Sequence, residues 1–459
     1  MQKIHNSKMA KFPDSFQNRI KRQFGGDSAD FLGALERPPV TSVRKNPKKL
    51  TGLWNDNETV PWCREGYYLS QKPVFTLGPL FHAGCYYPQE AGSMVIDWIL
   101  RQIESIPDSP IVLDLCAAPG GKATLLASWM EGKGLLVVNE IIRNRSLILL
   151  ENMIKWGYPN CVVTQNSPAD FSGLQHFFDL IIVDAPCSGE GMFRKEKRAI
   201  EEWSESAVAM CAVRQRKILD DIWHCLKPGG ILIYSTCTYN PSENEDNIAN
   251  FAKENDAEVL QLVPPELWGI TTIEIAGGSG LAFYPHLTKG EGFFVTAVRK
   301  TEGKEHKSFS KKEKNTNPIK LKTDFSSILT TDVEWGFFKE NQEVHAFSQR
   351  YFKHLNLLKN SLNMLDYGVN IGISGQNGLI PSQSLAMSMV FRNNGLFSEI
   401  ALELKEALDY LKGDIFPSST IKKGYVLFKY KEIPLGFGKD IGLRINNLYP
   451  SNWRIRMKV

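Results

Sequence analysis

A chain of 459 residues exceeds one typical domain, so two or three are expected, and its 42% hydrophobic and 23% charged residues are ordinary for a soluble globular protein. No apolar run reaches the ~18 residues that a membrane span needs, and no membrane partner is expected. The net charge of +4 hides a division: residues 1–60 carry 11 Lys and Arg against 6 Asp and Glu, residues 422–459 carry 9 against 2, and the stretch between is net negative. Basic ends around a neutral-to-acidic centre fit a polyanion such as nucleic acid, the plainer reading being ordinary solvated lysines. The start, MQKIHNSKMAKF, lacks the apolar core of a signal peptide, so a cytoplasmic location is expected. Eight cysteines (63, 85, 116, 161, 187, 211, 225, 237) show no CxxC pair or zinc-like spacing; free thiols in a reduced compartment, and no metal, are expected.

In chain order, residues 1–95 are mixed, with proline-rich punctuation (ERPPVTSVRKNPKK) and the aromatic-laden FTLGPLFHAGCYYPQEAGSM (75–94). Residues 96–300 alternate strand-like runs with helical patterns, the signature of βαβ units and a parallel sheet. Strands are expected at IVLDLC (111–116), GLLVVNE (134–140), CVVTQN (161–166), DLIIVDA (179–185) and GILIYST (230–236), with GFFVTAVRK (292–300) closing the sheet. KATLLASWM (122–130) and RNRSLILLENMIKWG (143–157) read as helices. The polar TEGKEHKSFSKKEKNTNPIKLK (301–322) reads as a solvated linker, with a polyanion-contacting tether as the alternative. Residues 323–459 read as a separate α+β unit.

The first strand runs into Cys116, Ala117, Ala118, Pro119, Gly120, Gly121 and Lys122, a small-residue turn entering a helix. Backbone can approach a ligand closely there, and the helix start offers free N–H groups. A phosphate-binding P-loop fails, because Gly120-Gly121-Lys122-Ala123 lacks the preceding glycine and the Ser or Thr after lysine; GxGxxG is absent too. What remains is a loop for a nucleoside-bearing cofactor without a pyrophosphate. The second strand ends at Glu140, placed for a carboxylate to accept bonds from two ribose hydroxyls, although a lone Glu at a strand end is usually surface. The third ends at Asn166, where a side chain would meet an adenine edge. Together these features resemble the Rossmann-like S-adenosylmethionine-dependent methyltransferases.

The fourth strand ends in Asp184-Ala185-Pro186-Cys187, where amino-methylating enzymes of that class carry Asp/Asn-Pro-Pro-aromatic. Cysteine belongs instead with carbon methylation of a pyrimidine. Carbon 5 of cytosine attacks a sulfonium methyl poorly until a thiolate adds to carbon 6 and makes the ring an enamine. Asp184, near ring nitrogen 3 and the exocyclic amine, would hold the base. The fifth strand supplies a second thiol, Cys237, in STCTYNPSENED (235–246).

A chain with both motifs resembles the NOL1/NOP2/Sun family of RNA 5-methylcytosine methyltransferases. The likeness covers CAAPGGK (116–122), Glu140, DAPCSGEGMFRK (184–195), STCTYNPSENED, KGEGFFV (289–295) and YYPQEAGSM (86–94). It implies that Cys237 is the nucleophile, that Cys187 assists breakdown of the covalent adduct, and that Lys195 contacts substrate or its phosphate; a charged surface is the plainer reading of Lys195. Two positions depart from the family: Asn166-Ser167 stands where an acidic residue is common, and LAFYPH (281–286) lacks the arginine before its aromatic-proline pair. Trp203 is a candidate for lining the substrate groove, and Cys161 and Cys225 read as buried small hydrophobes.

The amino-terminal SVRKNP (42–47) resembles the family's RNA-binding extension, which implies phosphate contacts by Arg44 and Lys45. Residues 424–456 resemble the PUA-like tail of bacterial ribosomal RNA members, with Lys439, Arg444, Arg454 and Arg456 facing RNA. The implied fold is therefore α/β: a Rossmann-like methyltransferase domain (96–300), a small α+β RNA-binding extension (1–95) and a PUA-like α+β domain (323–459). The implied enzyme is a cytoplasmic monomer that takes S-adenosylmethionine, no metal and no DNA, and methylates 16S ribosomal RNA, free or within a subunit, at an unstacked cytosine. A transfer RNA specificity is the first alternative, and a non-catalytic RNA-binding assembly factor the second; the scaffold has no need of both cysteines.

Overall fold

The computed structural model describes residues 12–49, 52–255, 257–301, 325–375, 378–418 and 423–457. Continuous apolar runs become parallel strands, as they do when both faces of a sheet are covered. An antiparallel amino-terminal sheet holds β1 (Thr41–Lys45), β2 (Gly66–Leu69) and β3 (Tyr86–Pro88). Then β4 (Ile111–Asp114), β5 (Leu135–Asn139), β6 (Cys161–Thr164), β7 (Phe178–Asp184) and β8 (Leu226–Thr236) pair in parallel. The strands β9 (Ala257–Val259), β10 (Thr271–Ile275), β11 (Gly278–Phe283) and β12 (Phe293–Lys300) add on antiparallel.

Across the sheet the order is β10-β11-β12-β8-β7-β4-β5-β6, so the carboxyl ends of β8, β7 and β4 lie side by side. Helices Gly121–Met130, Arg143–Trp156 and Glu205–Trp223 make the crossovers. Successive strand residues alternate between two apolar layers, Leu113, Val137 and Ile181 in one, Val112, Val138 and Ile182 in the other. Each such burial contributes about 1.5–3 kcal/mol before conformational entropy. Among the described residues, no helix is long and apolar enough to cross a membrane.

The flanks are less independent than the sequence implies. Residues 335–381 contribute a four-stranded antiparallel sheet and residues 398–447 a five-stranded mixed one, in which Ser398–Ala401 runs parallel to Gly424–Tyr430, so the stretch read as one unit holds two sheets. One strand within the first stretch, Met364–Tyr367, leaves that sheet, pairs antiparallel with β6 and covers the edge that β6 would otherwise leave open. The segment read as a linker lies, apart from Thr301, outside the described residues. The amino-terminal sheet and the last sheet share one core, where Val43, Leu80 and Tyr86 meet Leu408, Leu411 and Phe428.

Arg44 and Lys45, expected on phosphate, are corrected by their burial. Only 2% of Arg44 is exposed. Its Nε donates to Gln89 Oε1 at 2.8 Å, its Nη2 donates to Thr124 Oγ1 at 2.6 Å and Gly121 O at 3.2 Å, and the guanidinium lies 4.7 Å over the Trp156 ring. Burial pulls its pKa down to about 10, so it stays charged. Arg44 thus bolts β1 to the helix that follows β4. Lys45, 8% exposed, donates to Asn55 Oδ1 at 3.2 Å and sits 4.5 Å over Tyr67. Arg44→Ala is expected to lower the unfolding free energy by about 3 kcal/mol, because it strands buried partners. Denaturant unfolding checks this; a phosphate contact would instead reduce the salt slope of RNA binding by about one.

Candidate active site

The loop between β4 and the Gly121–Met130 helix is held open from the neighbouring Arg143–Trp156 helix. Arg145 Nη2 donates to Ala118 O and Asn152 Nδ2 to Pro119 O, each at 2.8 Å. Gly120 sits at φ +120°, a conformation that favours glycine. One buried amide ties the strand ends beneath it: Asn139 Nδ2 donates to Leu115 O and Asn166 O, both at 3.0 Å, and its Oδ1 accepts from Thr164 Oγ1 and the Asn166 N–H, both at 2.9 Å. Glu140 is buried at the end of β5, accepting from the Ile142 N–H at 2.9 Å and facing Arg145 at 3.4 Å.

Lys122, the first charged residue of the helix, meets Asp184 at 2.8 Å and lies 5.1 Å over the Phe293 ring. The other Asp184 oxygen accepts from Ser235 Oγ at 2.8 Å. Burial works against the lysine charge, but Asp184 raises its pKa above the ordinary value, with Asp114 behind. Asp114 itself is fully buried at the end of β4, and neither oxygen finds a hydrogen-bond donor among the described residues. Burial pushes its carboxyl up to about 8, with Asp184 and Glu140 adding to the rise and Lys122 opposing it.

These groups fit the cofactor that the sequence implies. Of three carboxylates at adjacent strand ends, Asp184 pairs with Lys122, Glu140 faces Arg145, and Asp114 is an orphan. A ligand with a sulfonium, an ammonium and ribose hydroxyls meets that need, and the 116–122 loop would hold its nucleoside half. The Cys116 thiol, pushed up first by burial and then by the same carboxylates, stays protonated and is no nucleophile.

The orphan has a consequence for the free protein. An ordinary aspartate releases its proton near pH ~4, but native Asp114 keeps its own to about 8. The native state therefore binds more protons across that window, and stability falls as pH rises through it. Asp114→Asn is expected to flatten the decline in unfolding free energy between pH 5 and 8, measured without cofactor; an equal decline in both proteins would contradict the assignment.

At the ends of β7 and β8 the two motif thiols meet. Cys187 Sγ and Cys237 Sγ lie 3.1 Å apart, and the Cys237 N–H donates to Cys187 Sγ at 3.3 Å. The hydrogen bond to Cys237, then burial, hold the Cys187 pKa well above the usual thiol range. Cys187 therefore stays protonated, within hydrogen-bond reach of Cys237, and either sulfur can donate while both are thiols. Both thiols are free and partly exposed.

The other expected site residues divide. Asn166 is a correction: its amide exchanges hydrogen bonds with the Asn363 backbone, at 2.9 and 3.1 Å, instead of facing the cofactor loop. Lys195 is exposed on the rim, its ammonium 3.7 Å from Glu291, in a cleft with Lys72, Phe75 and Met192. Trp203 is buried, not lining a groove, and donates to Glu190 at 2.9 Å. Lys439 and Arg444 are exposed on the last sheet, and Arg454 and Arg456 line a groove with Phe81, Lys155 and Trp453.

The structure adds residues that the sequence did not single out. Asp114 and Ser235 join the carboxylate cluster, and an acid closing a buried apolar strand is a signal that would have found Asp114. The amino-terminal helix Asp14–Phe24 also reaches the site. Arg19 Nη2 pairs at 2.6 Å with buried Glu190, which also accepts from the Tyr239 N–H at 3.2 Å. Nothing near Arg19 in sequence announces a partner 171 residues away. Among the described residues, no cluster of three His, Cys, Asp or Glu side chains would hold a metal ion.

Comparison with known proteins agrees with this geometry. Three family models match: the N-terminal domain of 16S rRNA methyltransferase RsmF over residues 12–91, 16S rRNA methyltransferase RsmB/F over 102–299, and the methyltransferase RsmF PUA domain over 397–455. Ribosomal RNA small subunit methyltransferase F of Aliivibrio fischeri is 30% identical, covering 95% of this chain and 96% of that one. The Escherichia coli protein of the same name is 28% identical over 96% of each. Among solved structures, a methyltransferase homolog protein from Pyrococcus horikoshii is 30% identical with a TM-score of 0.54, covering 63% of this chain and 95% of that one. NSun6 from Pyrococcus horikoshii, solved with SFG, shares the fold at a TM-score of 0.55 and 21% identity, covering 64% and 99%.

Proposed function

Since the chain belongs to the RsmB/F family of 16S rRNA methyltransferases, we propose that it transfers a methyl group from S-adenosylmethionine to carbon 5 of a cytosine in 16S ribosomal RNA. The observation that carries this is the thiol pair, 3.1 Å apart and one strand from the cofactor loop. The cofactor, when bound, supplies an electrophilic methyl group. The chain does the rest. Cys237 adds through sulfur to carbon 6, Asp184 holds the base edge, and carbon 5 becomes nucleophilic. After methylation the carbon-5 proton passes to solvent water, its bonding pair restores the carbon 5–carbon 6 double bond, and the carbon 6–sulfur bond breaks to release Cys237 as a thiolate that accepts a hydrogen bond from the Cys187 S–H. Glu140 and the 116–122 loop hold the cofactor, with Lys122 setting the charge and position of Asp184.

The enzyme works as a cytoplasmic monomer. Residues 1–95 and 323–459 flank the 96–300 domain and select the RNA, with Lys195, Lys439, Arg444, Arg454 and Arg456 on phosphate. Bisulfite sequencing of RNA from cells with and without the protein tests the reading. One 16S position should lose its protection when the protein is absent; loss of protection only in transfer RNA, or nowhere, would overturn it.

A further inference from the structure

We infer that Glu243 is a positioning residue, whose carboxylate sets the separation of the two thiols by holding the residues that follow them; the inference rests on the function proposed above. Glu243 lies six residues after Cys237, in the turn Pro241–Glu243, and is fully buried. Its Oε1 accepts from the Ser188 N–H at 2.9 Å and from Gln215 Nε2 at 3.0 Å, and its Oε2 accepts from Ser188 Oγ at 2.5 Å. Ser188 directly follows Cys187. Its Oγ lies 2.9 Å from Thr238 Oγ1, and Thr238 directly follows Cys237.

The direction of this chain follows from the carboxylate. An ionised carboxylate only accepts, so the Ser188 hydroxyl spends its proton on Glu243 and the Thr238 hydroxyl must donate to Ser188. Thr238 Oγ1 is then free to accept from the Asn240 N–H at 3.3 Å. Gln215 Nε2 also donates to Pro186 O at 3.1 Å, so the residue before Cys187 is anchored through the same carboxylate. Tyr234, from β8, donates to the Glu243 carbonyl at 2.7 Å. The two cysteine loops come from strand ends 50 residues apart, and this one buried group links them by side chains. Burying a carboxylate is costly, and a neutral glutamine would avoid that cost while filling the same space. A glutamine NH₂ facing Ser188 would, however, reverse both hydroxyls and leave the Thr238 proton without its partner.

The test uses purified full-length protein, labelled S-adenosylmethionine and substrate RNA. Glu243→Ala should lower kcat roughly 100-fold, the scale of a 1 Å misplacement, while KM for RNA and cofactor stays within about twofold. Denaturation-resistant protein–RNA adduct should accumulate per turnover, because the release thiol is misplaced. Glu243→Gln, which keeps the shape, should fall between wild type and Glu243→Ala in both readouts. If the alanine variant does not fold, Ser188→Ala and Glu243→Gln decide: reduced kcat with raised adduct supports the inference. Wild-type kcat, or a lower kcat without extra adduct, overturns it. A wild-type protein that transfers no methyl group to RNA would overturn the underlying function instead.

Discussion

Cys237→Ala should abolish methyl transfer to RNA and leave cofactor binding within about twofold of wild type, since the cofactor loop does not depend on this side chain. The thiol lies at the end of β8, past the buried run ILIYST, and is partly exposed. Alanine there removes the group that would add to carbon 6, and the other partly exposed thiols among the described residues do not replace it: Cys211 lies along the Glu205–Trp223 helix, its pKa raised by burial. Cys187, 3.1 Å away, is held protonated, and Cys116 is likewise kept protonated. Without addition, carbon 5 of cytosine has almost no reactivity towards a methyl sulfonium. A loss of roughly 10⁴-fold or more in kcat is expected, the scale seen when a covalent enzyme loses its nucleophile. Methyl incorporation from labelled cofactor measures the loss, and calorimetric titration of the cofactor provides the control. Transfer at the wild-type rate would show that Cys237 forms no adduct.

Cys187→Ala has the opposite signature. The nucleophile remains, the adduct forms, and its resolution fails. The departing Cys237 thiolate loses the one S–H aimed at it, so the ring keeps its covalent partner after methylation. A band that resists denaturation and shifts with RNA length should appear, sensitive to both protease and ribonuclease. The double variant Cys187→Ala, Cys237→Ala should show no such band, which separates a specific adduct from adventitious crosslinking. Turnover should fall together with the appearance of the band. Intact turnover without any adduct would remove Cys187 from the mechanism.

The catalytic sheet was readable in the sequence because its strands are buried on both faces. Such strands appear as uninterrupted apolar runs, and IVLD, LLVVN, CVVT and FDLIIVD became β4 to β7. The motif loops were readable because Gly120, Pro186 and the two cysteines carry their chemistry locally. What stayed hidden depends on partners distant in sequence. Arg44, beside Lys45 in a basic stretch, looked like a phosphate ligand. Its actual partners are Thr124 and Trp156, on two helices of another domain. Asn166 was placed correctly at a strand end, yet its amide is taken up by Asn363, 197 residues on. The Arg19–Glu190 pair and the shared core of the two flanks belong to the same class. No periodicity encodes a contact between residues so far apart.

The two flanking regions pack against one another. The amino-terminal sheet and the last sheet pack through Tyr86, Leu411 and Phe428, and Tyr449 comes within 3.4 Å of His82. Arg44 and Lys45 brace the amino-terminal sheet from within, Arg44 against the Gly121–Met130 helix and Lys45 against Asn55.

The division of labour between the thiols is the central claim, and peptide mass spectrometry of the trapped adduct tests it most directly. The Cys187→Ala protein, incubated with RNA and cofactor, denatured and digested with ribonuclease and protease, should yield a peptide carrying methylated cytidine on Cys237. The same nucleotide on any other cysteine, or unmodified Cys237 in a variant that still turns over, would contradict the account.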